Sequence, residues 1–299
     1  MFSCWPSLEP LAKTLPLKRS QNIFYYDYGV QNNSNKPVLI LVHGLADEAD
    51  TWRHIIRPLG DAGYRVLAPD LPGFGRSATN KRSSVARHRD AVLTLANAVS
   101  ENTENGFVLI GSSMGATIAE AAALADNRIK AIVQIDGCMP MGGTGSPQIL
   151  LSALPFYGSK RYRSFRVYQE RAWLSLIAYY ADLHALNEED KNFLRSRVMD
   201  RVNSVTQERA YLTSLRSMIF QTLRTSYYRR IGSWPGEIAL IWGEKDNVMP
   251  IIAAQSFIKL RGNNKTELSI INGAGHLPHQ ERPAETADAI LQFVGKLTK

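Results

Sequence analysis

The sequence of 299 residues is poor in cysteine and in long apolar runs. Its two cysteines, Cys4 and Cys138, are too few for a disulfide framework, which is typical of a reducing compartment. No run of 18 apolar residues is present, so a membrane-spanning helix is not expected. Residues 1–6 lack a basic stretch followed by an apolar one, and a secretory signal is therefore not expected. The location that these features favour is the cytoplasm.

Signatures of metal, cofactor and nucleic acid binding are also scarce. The six histidines are scattered, and none has the His-x-x-x-His spacing of a helical metal site. Gly73 and Gly75 lack the third glycine and the Lys-Ser/Thr ending of a phosphate-binding loop. Basic residues occur, but without a nucleic-acid-binding motif. We therefore expect no metal, no cofactor and no nucleic acid partner.

Positive charge is concentrated in one segment of the chain. The net charge is +8, and residues 141–232 hold 14 Lys/Arg against 7 Asp/Glu, a difference of +7. One interpretation is a set of solvated helix faces, since Arg and Lys are good helix formers. The alternative is a basic rim that attracts acidic substrates or makes a weak contact with an anionic membrane surface.

Apolar runs alternate with helical patterns over residues 1–140. Strands are predicted at 23–28, 38–42, 65–69, 107–110 and 131–135, and helices at 52–62 and 84–100. After residue 233 the pattern returns, with strands at 238–242 and 268–271 and a helix at 284–297. Strands that alternate with helices of this length indicate βαβ units and a mostly parallel central sheet flanked by helices, an α/β fold.

Residues 141–232 interrupt this pattern. Amphipathic helices are predicted there at 165–181 and at 188–202, the second with Asn187 as its N-cap, and strand signals are absent. We predict a core domain of residues 1–140 and 233–299, and an all-helical cap domain of residues 141–232. A cap of this kind would cover the C-terminal ends of the strands, where open α/β sheets bind ligands.

The segment Gly111-Ser112-Ser113-Met114-Gly115 joins a predicted strand to a predicted helix. A Gly-x-Ser-x-Gly turn in this context is a nucleophile elbow, in which a sharp turn presents the serine side chain to a pocket. Ser113 is therefore the candidate nucleophile. A serine hydroxyl is a poor nucleophile at neutral pH, so it needs a base, and the base needs a carboxylate to orient it.

Both partners occur downstream at predicted strand ends. Asp246 follows the strand at 238–242, and His276 follows the strand at 268–271. The chain order Ser, Asp, His is the order of the triad in this kind of fold. We predict Ser113 as nucleophile, His276 as base and Asp246 as the acid that orients the base.

Acyl transfer also requires hydrogen-bond donors for the oxyanion. The backbone N–H of Met114, directly after the nucleophile, is one candidate, and the backbone N–H of Leu45 in the loop after strand 38–42 is the other. The residues predicted to line the substrate pocket lie near the predicted strand ends or in the cap. They are Leu45, Cys138, Met139, Trp173 and Val248.

Four motifs together resemble the α/β-hydrolase superfamily, in its capped, esterase-like serine hydrolase branch. They are His43-Gly44, the loop Asp70-Leu71-Pro72-Gly73-Phe74-Gly75-Arg76-Ser77, the elbow Gly111 to Gly115, and Gly275-His276 with Glu281 and Pro283. The resemblance covers almost the whole chain. It implies the α/β-hydrolase fold with a helical cap, and it implies the roles of Ser113, Asp246 and His276 given above.

Three other polar residues near the motifs have competing interpretations. His43 is expected to support the oxyanion loop, and Asp70 to organise its own loop by accepting hydrogen bonds from backbone N–H groups. Asp136 ends the strand at 131–135, a position that can hold the triad acid in some relatives. Asp246 matches the commoner position and is preferred.

The triad predicts an acyl-enzyme mechanism, and our first hypothesis is hydrolysis of small to medium carboxylic esters. Epoxide hydrolases and haloalkane dehalogenases resemble this chain but use Asp as nucleophile, which argues against both. The alternative is a carbon–carbon bond hydrolase or a lactonase that acts on acidic intermediates of catabolism. Carbon–carbon hydrolases usually have Asn before the nucleophile, where this chain has Ser112. A non-catalytic ligand receptor on the same fold is the third hypothesis. Either a monomer or a homodimer is compatible with the sequence.

Overall fold

The computed structural model of the chain describes residues 3–17, 21–29, 35–77, 79, 82–99, 105–137, 151–262 and 265–298. Within these ranges the chain forms a single eight-stranded sheet. Its strands are β1 (Ala12–Leu17), β2 (Gln21–Tyr28), β3 (Val38–Val42), β4 (Val66–Pro69), β5 (Phe107–Ser112), β6 (Ile129–Ile135), β7 (Glu237–Gly243) and β8 (Thr266–Ile271).

The strand order in the sheet is β1-β2-β4-β3-β5-β6-β7-β8. β2 is antiparallel to both β1 and β4, and all the other neighbours are parallel. The prediction of a mostly parallel sheet is thereby confirmed. Strand β1 was not predicted, because it is an edge strand with mostly exposed side chains and an internal proline, Pro16. Proline is tolerated at an edge, where its missing N–H breaks no ladder.

Helices flank the sheet on both faces. The α-helices are α1 (Ile56–Asp61), α2 (Val85–Ala98), α3 (Met114–Ala123), α4 (Pro155–Val167), α5 (Gln169–Leu174), α6 (Glu188–Asn203), α7 (Val205–Thr222), α8 (Thr225–Gly232), α9 (Ile252–Arg261), α10 (Pro278–Glu281) and α11 (Pro283–Lys296). Short 3-10 helices occupy Pro6–Leu11, Ala49–Trp52, Ser175–Tyr179 and Leu183–Ala185. Among the helices that the structure describes, none combines the length and the hydrophobicity needed to cross a bilayer.

The hydrophobic core lies on both faces of the sheet. Every residue of β3 is buried, as expected for a strand covered on both sides. Ile40 and Val42 point to one cluster, which includes residues of α2, α3 and α9. Leu39 and Leu41 point to the other, which includes residues of α1 and α11. The sheet is therefore the rigid layer from which the loops at its edge project.

The described residues between β6 and β7, 151–232, contain helices and no strand. The prediction of one continuous helix over residues 165–181 is wrong, because the segment contains parts of three helical elements. α4 ends at Val167, the backbone of Tyr168 leaves the helical region (φ −110°, ψ 71°), and a separate α5 and a 3-10 helix follow. The predicted N-cap is confirmed, since the side chain of Asn187 accepts a hydrogen bond from the N–H of Asp190. The predicted boundary at residues 140 and 141 lies outside the described residues.

Helix α6 joins the insertion to the core through charged side chains. Asp190 accepts hydrogen bonds from the Arg53 guanidinium and from Nε2 of His54. At the other end of the helix, Arg201 donates to the carbonyl of Ala46 and lies 3.2 Å from a carboxylate oxygen of Asp47. Because Arg53 and Asp190 are almost fully buried, this contact is screened little by solvent.

A buried carboxyl, Glu120 of α3, forms a second link between core and insertion. Its oxygens accept hydrogen bonds from Gln134 of β6 and from the hydroxyl of Tyr227 in α8, each at 2.8 Å. Burial raises the pKa of Glu120 to about 7, although the two hydrogen bonds act to lower it. The folded protein therefore holds a proton on Glu120 that the unfolded chain releases at lower pH.

Replacing Glu120 by glutamine should change how stability depends on pH. Since the pKa of Glu120 is higher in the folded state, its contribution to stability is present below pH 4.5 and is lost as pH rises toward 7. The free energy of unfolding of Glu120→Gln, relative to the native chain, should therefore rise by up to about 3 kcal/mol between these limits. Urea unfolding followed by circular dichroism at both pH values measures this difference. Exposed Glu267→Gln is the control, and the same pH dependence in the native chain and in Glu120→Gln would contradict the assignment.

Candidate active site

Ser113 occupies a sharp turn between β5 and α3. Its backbone has φ 51° and ψ −117°, a conformation that residues with a Cβ rarely adopt and that is often retained at functional sites. Its N–H donates to the carbonyl of Ile135 at 2.9 Å. Gly115 allows α3 to start there, because a Cβ at this position would lie 2.0 Å from the carbonyl oxygen of Val42. The predicted elbow geometry is thus present around Ser113.

Asp246 and His276 come together beyond the ends of β7 and β8. Nδ1 of His276 lies 2.8 Å from Oδ2 of Asp246, and both side chains are buried. The second carboxylate oxygen accepts the backbone N–H groups of Val248 and Met249. Burial acts to raise the pKa of Asp246, but the hydrogen bond and charge of His276 outweigh it and lower the pKa. Asp246 is therefore an ionised acceptor that orients the imidazole.

The loop that carries His276 is held by the helical insertion. The N–H of His276 donates to the carbonyl of Tyr179 at 2.8 Å. Gly275 is required for this approach, because a Cβ there would lie 2.5 Å from the amide nitrogen of Ala181. Glu281 accepts the N–H of Gly275 with one oxygen and the N–H of Ala181 with the other, both at 2.7 Å. The insertion thus helps to position His276, the candidate base.

Asp136 provides a second buried carboxyl beside the first. Its Oδ1 accepts the N–H of Gly243. Its Oδ2 has no hydrogen-bond partner among the described residues. Burial and the neighbouring charge of Asp246 raise the pKa of Asp136 well above its ordinary value. The raised pKa favours the neutral form of Asp136, and His276 is bonded to Asp246 rather than to Asp136. This geometry favours Asp246 as the orienting acid.

Side-chain atoms of Asp136, Asp246 and His276 lie within 4.8 Å of one another. In the described parts of the chain, this is the one group of His, Cys, Asp or Glu compact enough to hold a metal ion. His276 is bonded to Asp246, and one oxygen of each carboxyl accepts backbone N–H groups. Such an arrangement suits proton transfer better than metal binding.

His43 and Asp70 have the supporting contacts that were expected. Nε2 of His43 accepts the N–H of Leu71, and Nδ1 lies 2.8 Å from the carbonyl of Gly44. Burial lowers the pKa of His43, which is therefore neutral and donates from Nδ1. Asp70 accepts the N–H groups of Ala49 and Arg76. Both side chains hold loops at the carboxyl edge of the sheet.

The candidate oxyanion loop passes close to Ser113. A Cβ added to Gly44 would lie 3.4 Å from the Cβ of Ser113, so the backbone of this loop passes directly beside the Ser113 side chain. Met114 is the first residue of α3, so its N–H has no partner within the helix. Ala46 has φ 58°, and Arg201 of the insertion donates to its carbonyl. The insertion therefore supports this loop as well.

The predicted pocket residues are only partly described. Cys138 and Met139 lie outside the described residues. Trp173 is buried in a small cluster of the insertion, against which Leu277 packs, next to His276 in the chain. Val248 is half-buried and donates its N–H to Asp246. The pocket role of these residues stays a prediction.

Two residues that hold the site were not found from the sequence. Tyr179 acts through its carbonyl, and Arg201 through a bond to the carbonyl of Ala46. Neither contact has a motif, since a backbone acceptor can be any residue. The excess of arginine in the segment 141–232 was the only available signal for Arg201.

The chain is similar to known proteins over most of its length. The model of the alpha/beta hydrolase family matches residues 39–289. The chain is 24% identical over 275 residues to the uncharacterized hydrolase YugF of Bacillus subtilis (strain 168), covering 91% of this chain and 94% of that protein. It is 26% identical over 281 residues to the 2-hydroxy-6-oxononadienedioate/2-hydroxy-6-oxononatrienedioate hydrolase of Cupriavidus pinatubonensis (strain JMP 134 / LMG 1197), with 86% of each covered.

The fold is shared with solved structures of low sequence identity. The haloalkane dehalogenase DbeA from Bradyrhizobium elkani USDA94 superposes with a TM-score of 0.79 at 16% identity, covering 96% of this chain and 98% of that one. This likeness confirms the fold that the sequence predicted. It carries no information on the reaction, since the identity is low.

Replacing each carboxyl by its amide should distinguish the roles of Asp246 and Asp136. Asp246→Asn removes the anionic acceptor for His276, and kcat should fall roughly 10⁴-fold, as for triads in general. Asp136→Asn keeps an acceptor for Gly243 and a donor toward Asp246, so kcat should fall less than about tenfold. Steady-state kinetics with an ester that the native protein hydrolyses measures kcat for both variants. The assignment of Asp246 fails if the two variants show the opposite order.

Proposed function

The chain belongs to the alpha/beta hydrolase family, and we propose that it is a serine hydrolase of small to medium carboxylic esters. The observation that carries this proposal is the conjunction of Ser113 at a strained elbow with the buried His276–Asp246 pair. A serine nucleophile activated by such a pair suits acyl transfer through a covalent intermediate. Family members with an aspartate nucleophile use a different chemistry at this position.

In the proposed mechanism, His276 accepts the proton of the Ser113 hydroxyl through Nε2, because its Nδ1 is bonded to Asp246. The serine oxygen attacks the ester carbonyl, and the N–H groups of Leu45 and Met114 stabilise the oxyanion. His276 then gives its proton to the leaving alcohol. Water repeats the sequence on the acyl-enzyme and releases the acid.

The electrostatics of Asp246 support this role. Its lowered pKa keeps the carboxylate ionised across the physiological range, so that it stabilises the imidazolium formed when Ser113 is deprotonated. Burial and the charge of Asp246 raise the pKa of Asp136, which favours the neutral form of this neighbouring carboxyl. The bonds from Val248 and Met249 fix the direction of the carboxylate.

A second candidate is carbon–carbon bond hydrolysis, or lactone hydrolysis, of acidic intermediates. It is favoured by the relative from Cupriavidus pinatubonensis, whose name describes a hydrolase of 2-hydroxy-6-oxononadienedioate. The excess of positive charge in residues 141–232 would suit an acidic substrate. The ester hypothesis is retained as the first because Ser112 precedes the nucleophile, where carbon–carbon hydrolases usually have Asn.

Labelling with a fluorophosphonate probe tests the nucleophile. The native protein should be labelled, and Ser113→Ala should not, because the probe requires an activated serine. Ser112→Ala is the matched control, since Ser112 is the adjacent residue and its buried hydroxyl has no partner among the described residues. Equal labelling of Ser113→Ala would place the activated serine elsewhere and contradict the assignment, and no labelling of the native protein would support a non-catalytic receptor instead.

Substrate turnover separates the two enzymatic candidates. We expect p-nitrophenyl esters of short and medium chains to be hydrolysed with a higher kcat/KM than a ring-cleavage diketone. The kcat/KM values of both substrates should vanish together in Ser113→Ala. A preference for the diketone by orders of magnitude would replace the ester proposal by the second candidate.

A further inference from the structure

Large apolar side chains are exposed mainly on the helical insertion. Of the 15 such side chains among the described residues, 11 lie between residues 151 and 223. Phe156 is 92% exposed and Phe220 is 75% exposed. Single exposed apolar residues are ordinary on a protein surface, but a concentration of this kind marks an interaction site.

Positive charge is also distributed unevenly within the insertion. Residues 151–167 and 205–232, which include α4, α7 and α8, contain nine Lys/Arg and one acidic residue, Glu208. Residues 168–204, which include α5 and α6, contain five Lys/Arg and six Asp/Glu. The net charge of the insertion therefore comes almost entirely from its α4, α7 and α8 part.

On α4 the apolar and basic side chains share one stripe. Phe156, Lys160, Arg163 and Val167 follow the spacing i, i+4, i+7 and i+11, and all four are exposed. The opposite side of α4 is buried, and Tyr162 lies on it. Arg163 pairs with Glu208, yet its side chain remains 65% exposed. The stripe thus faces solvent along the whole helix.

The end of α7 extends this surface. Nε of Arg216 donates to the carbonyl of Ala153 at 2.7 Å, which joins the C-terminal half of α7 to the segment that precedes α4. Phe220 lies one turn beyond Arg216 on the same side of α7. We define the docking face by its exposed members. They are Leu151, Leu154, Phe156, Tyr157, Lys160, Arg163, Val167, Phe220, Leu223 and Arg224.

We propose that the docking face binds the surface of an anionic phospholipid bilayer. Its apolar side chains can enter the interfacial region while its cations meet lipid phosphates, the combination that holds a protein on a membrane without a spanning helix. A second copy of the chain fits less well, since symmetric pairing of this face would bring cations against cations. Nucleic acid would match the cations and could stack on the phenylalanines, but it would leave the exposed aliphatic Leu151, Leu154 and Val167 without a partner. The proposal is independent of the bond that the enzyme cleaves.

Sedimentation of the full chain with lipid vesicles tests the proposal. The native protein should bind vesicles of phosphatidylcholine mixed with phosphatidylglycerol, and it should bind pure phosphatidylcholine far more weakly. Binding should decrease with added salt, because exposed charges are screened. The variant Phe156→Ser with Lys160→Glu should partition onto anionic vesicles roughly tenfold to thirtyfold less. It loses the ring that would enter the bilayer, and it reverses one charge.

A matched control variant lies on the core domain. Ile252→Ser with Lys259→Glu changes one exposed apolar and one exposed basic residue on α9, seven positions apart, and should bind vesicles as the native chain does. Thermal unfolding verifies that both variants are folded. As a second readout, Phe156→Trp should show a blue-shifted emission with anionic vesicles only.

Three outcomes would overturn the proposal. The first is equal binding to neutral and anionic vesicles, or no binding to either. The second is equal loss of binding in the α4 variant and the α9 control. The third is a dimer of the native chain, seen by analytical ultracentrifugation, that the α4 variant abolishes while vesicles are not bound. In that last case the face would be an interface between two copies.

Discussion

The carboxylate of Glu281 is the contact on which the geometry of the site depends. It accepts one N–H from the loop that carries His276 and one from the insertion, at Ala181. The N–H of His276 itself is bonded to Tyr179. These bonds add to those that the loop after β8 makes with the core, from Lys245 to the carbonyl of Ala274 and from His276 to Asp246. His276 is thus held by two segments a hundred residues apart in sequence.

The insertion has two parts that differ in chemistry. The part from residue 179 to residue 203 contacts three regions through buried polar bonds. They are the loop that carries His276, the candidate oxyanion loop and the core. The part made of α4 and the end of α7 presents cations and aromatic rings to solvent. Substitutions in the first part act on the site through its supports, whereas substitutions of the exposed side chains in the second touch none of these bonds. One helical region therefore serves two separate requirements.

Much of the core could be predicted from the sequence, because β3, β5 and β7 are largely apolar runs, and the candidate residues follow the ends of β5, β7 and the more exposed β8. The elbow at Ser113 and the pairing of Asp246 with His276 fall into this class. The break at Tyr168 could not be predicted, since the apolar spacing on both sides of it is helical. Backbone acceptors such as Tyr179 have no side-chain signature at all. The raised pKa of Asp136 depends on burial beside Asp246, which only the assembled strand ends create.

The contact of Arg201 with Ala46, together with the bonds at Tyr179 and Glu281, has a consequence for motion. A movement that lifts this part of the insertion away from the sheet must break the bonds that hold the base and the candidate oxyanion loop. The position of this part of the insertion and the geometry around His276 are therefore coupled, since the same bonds fix both.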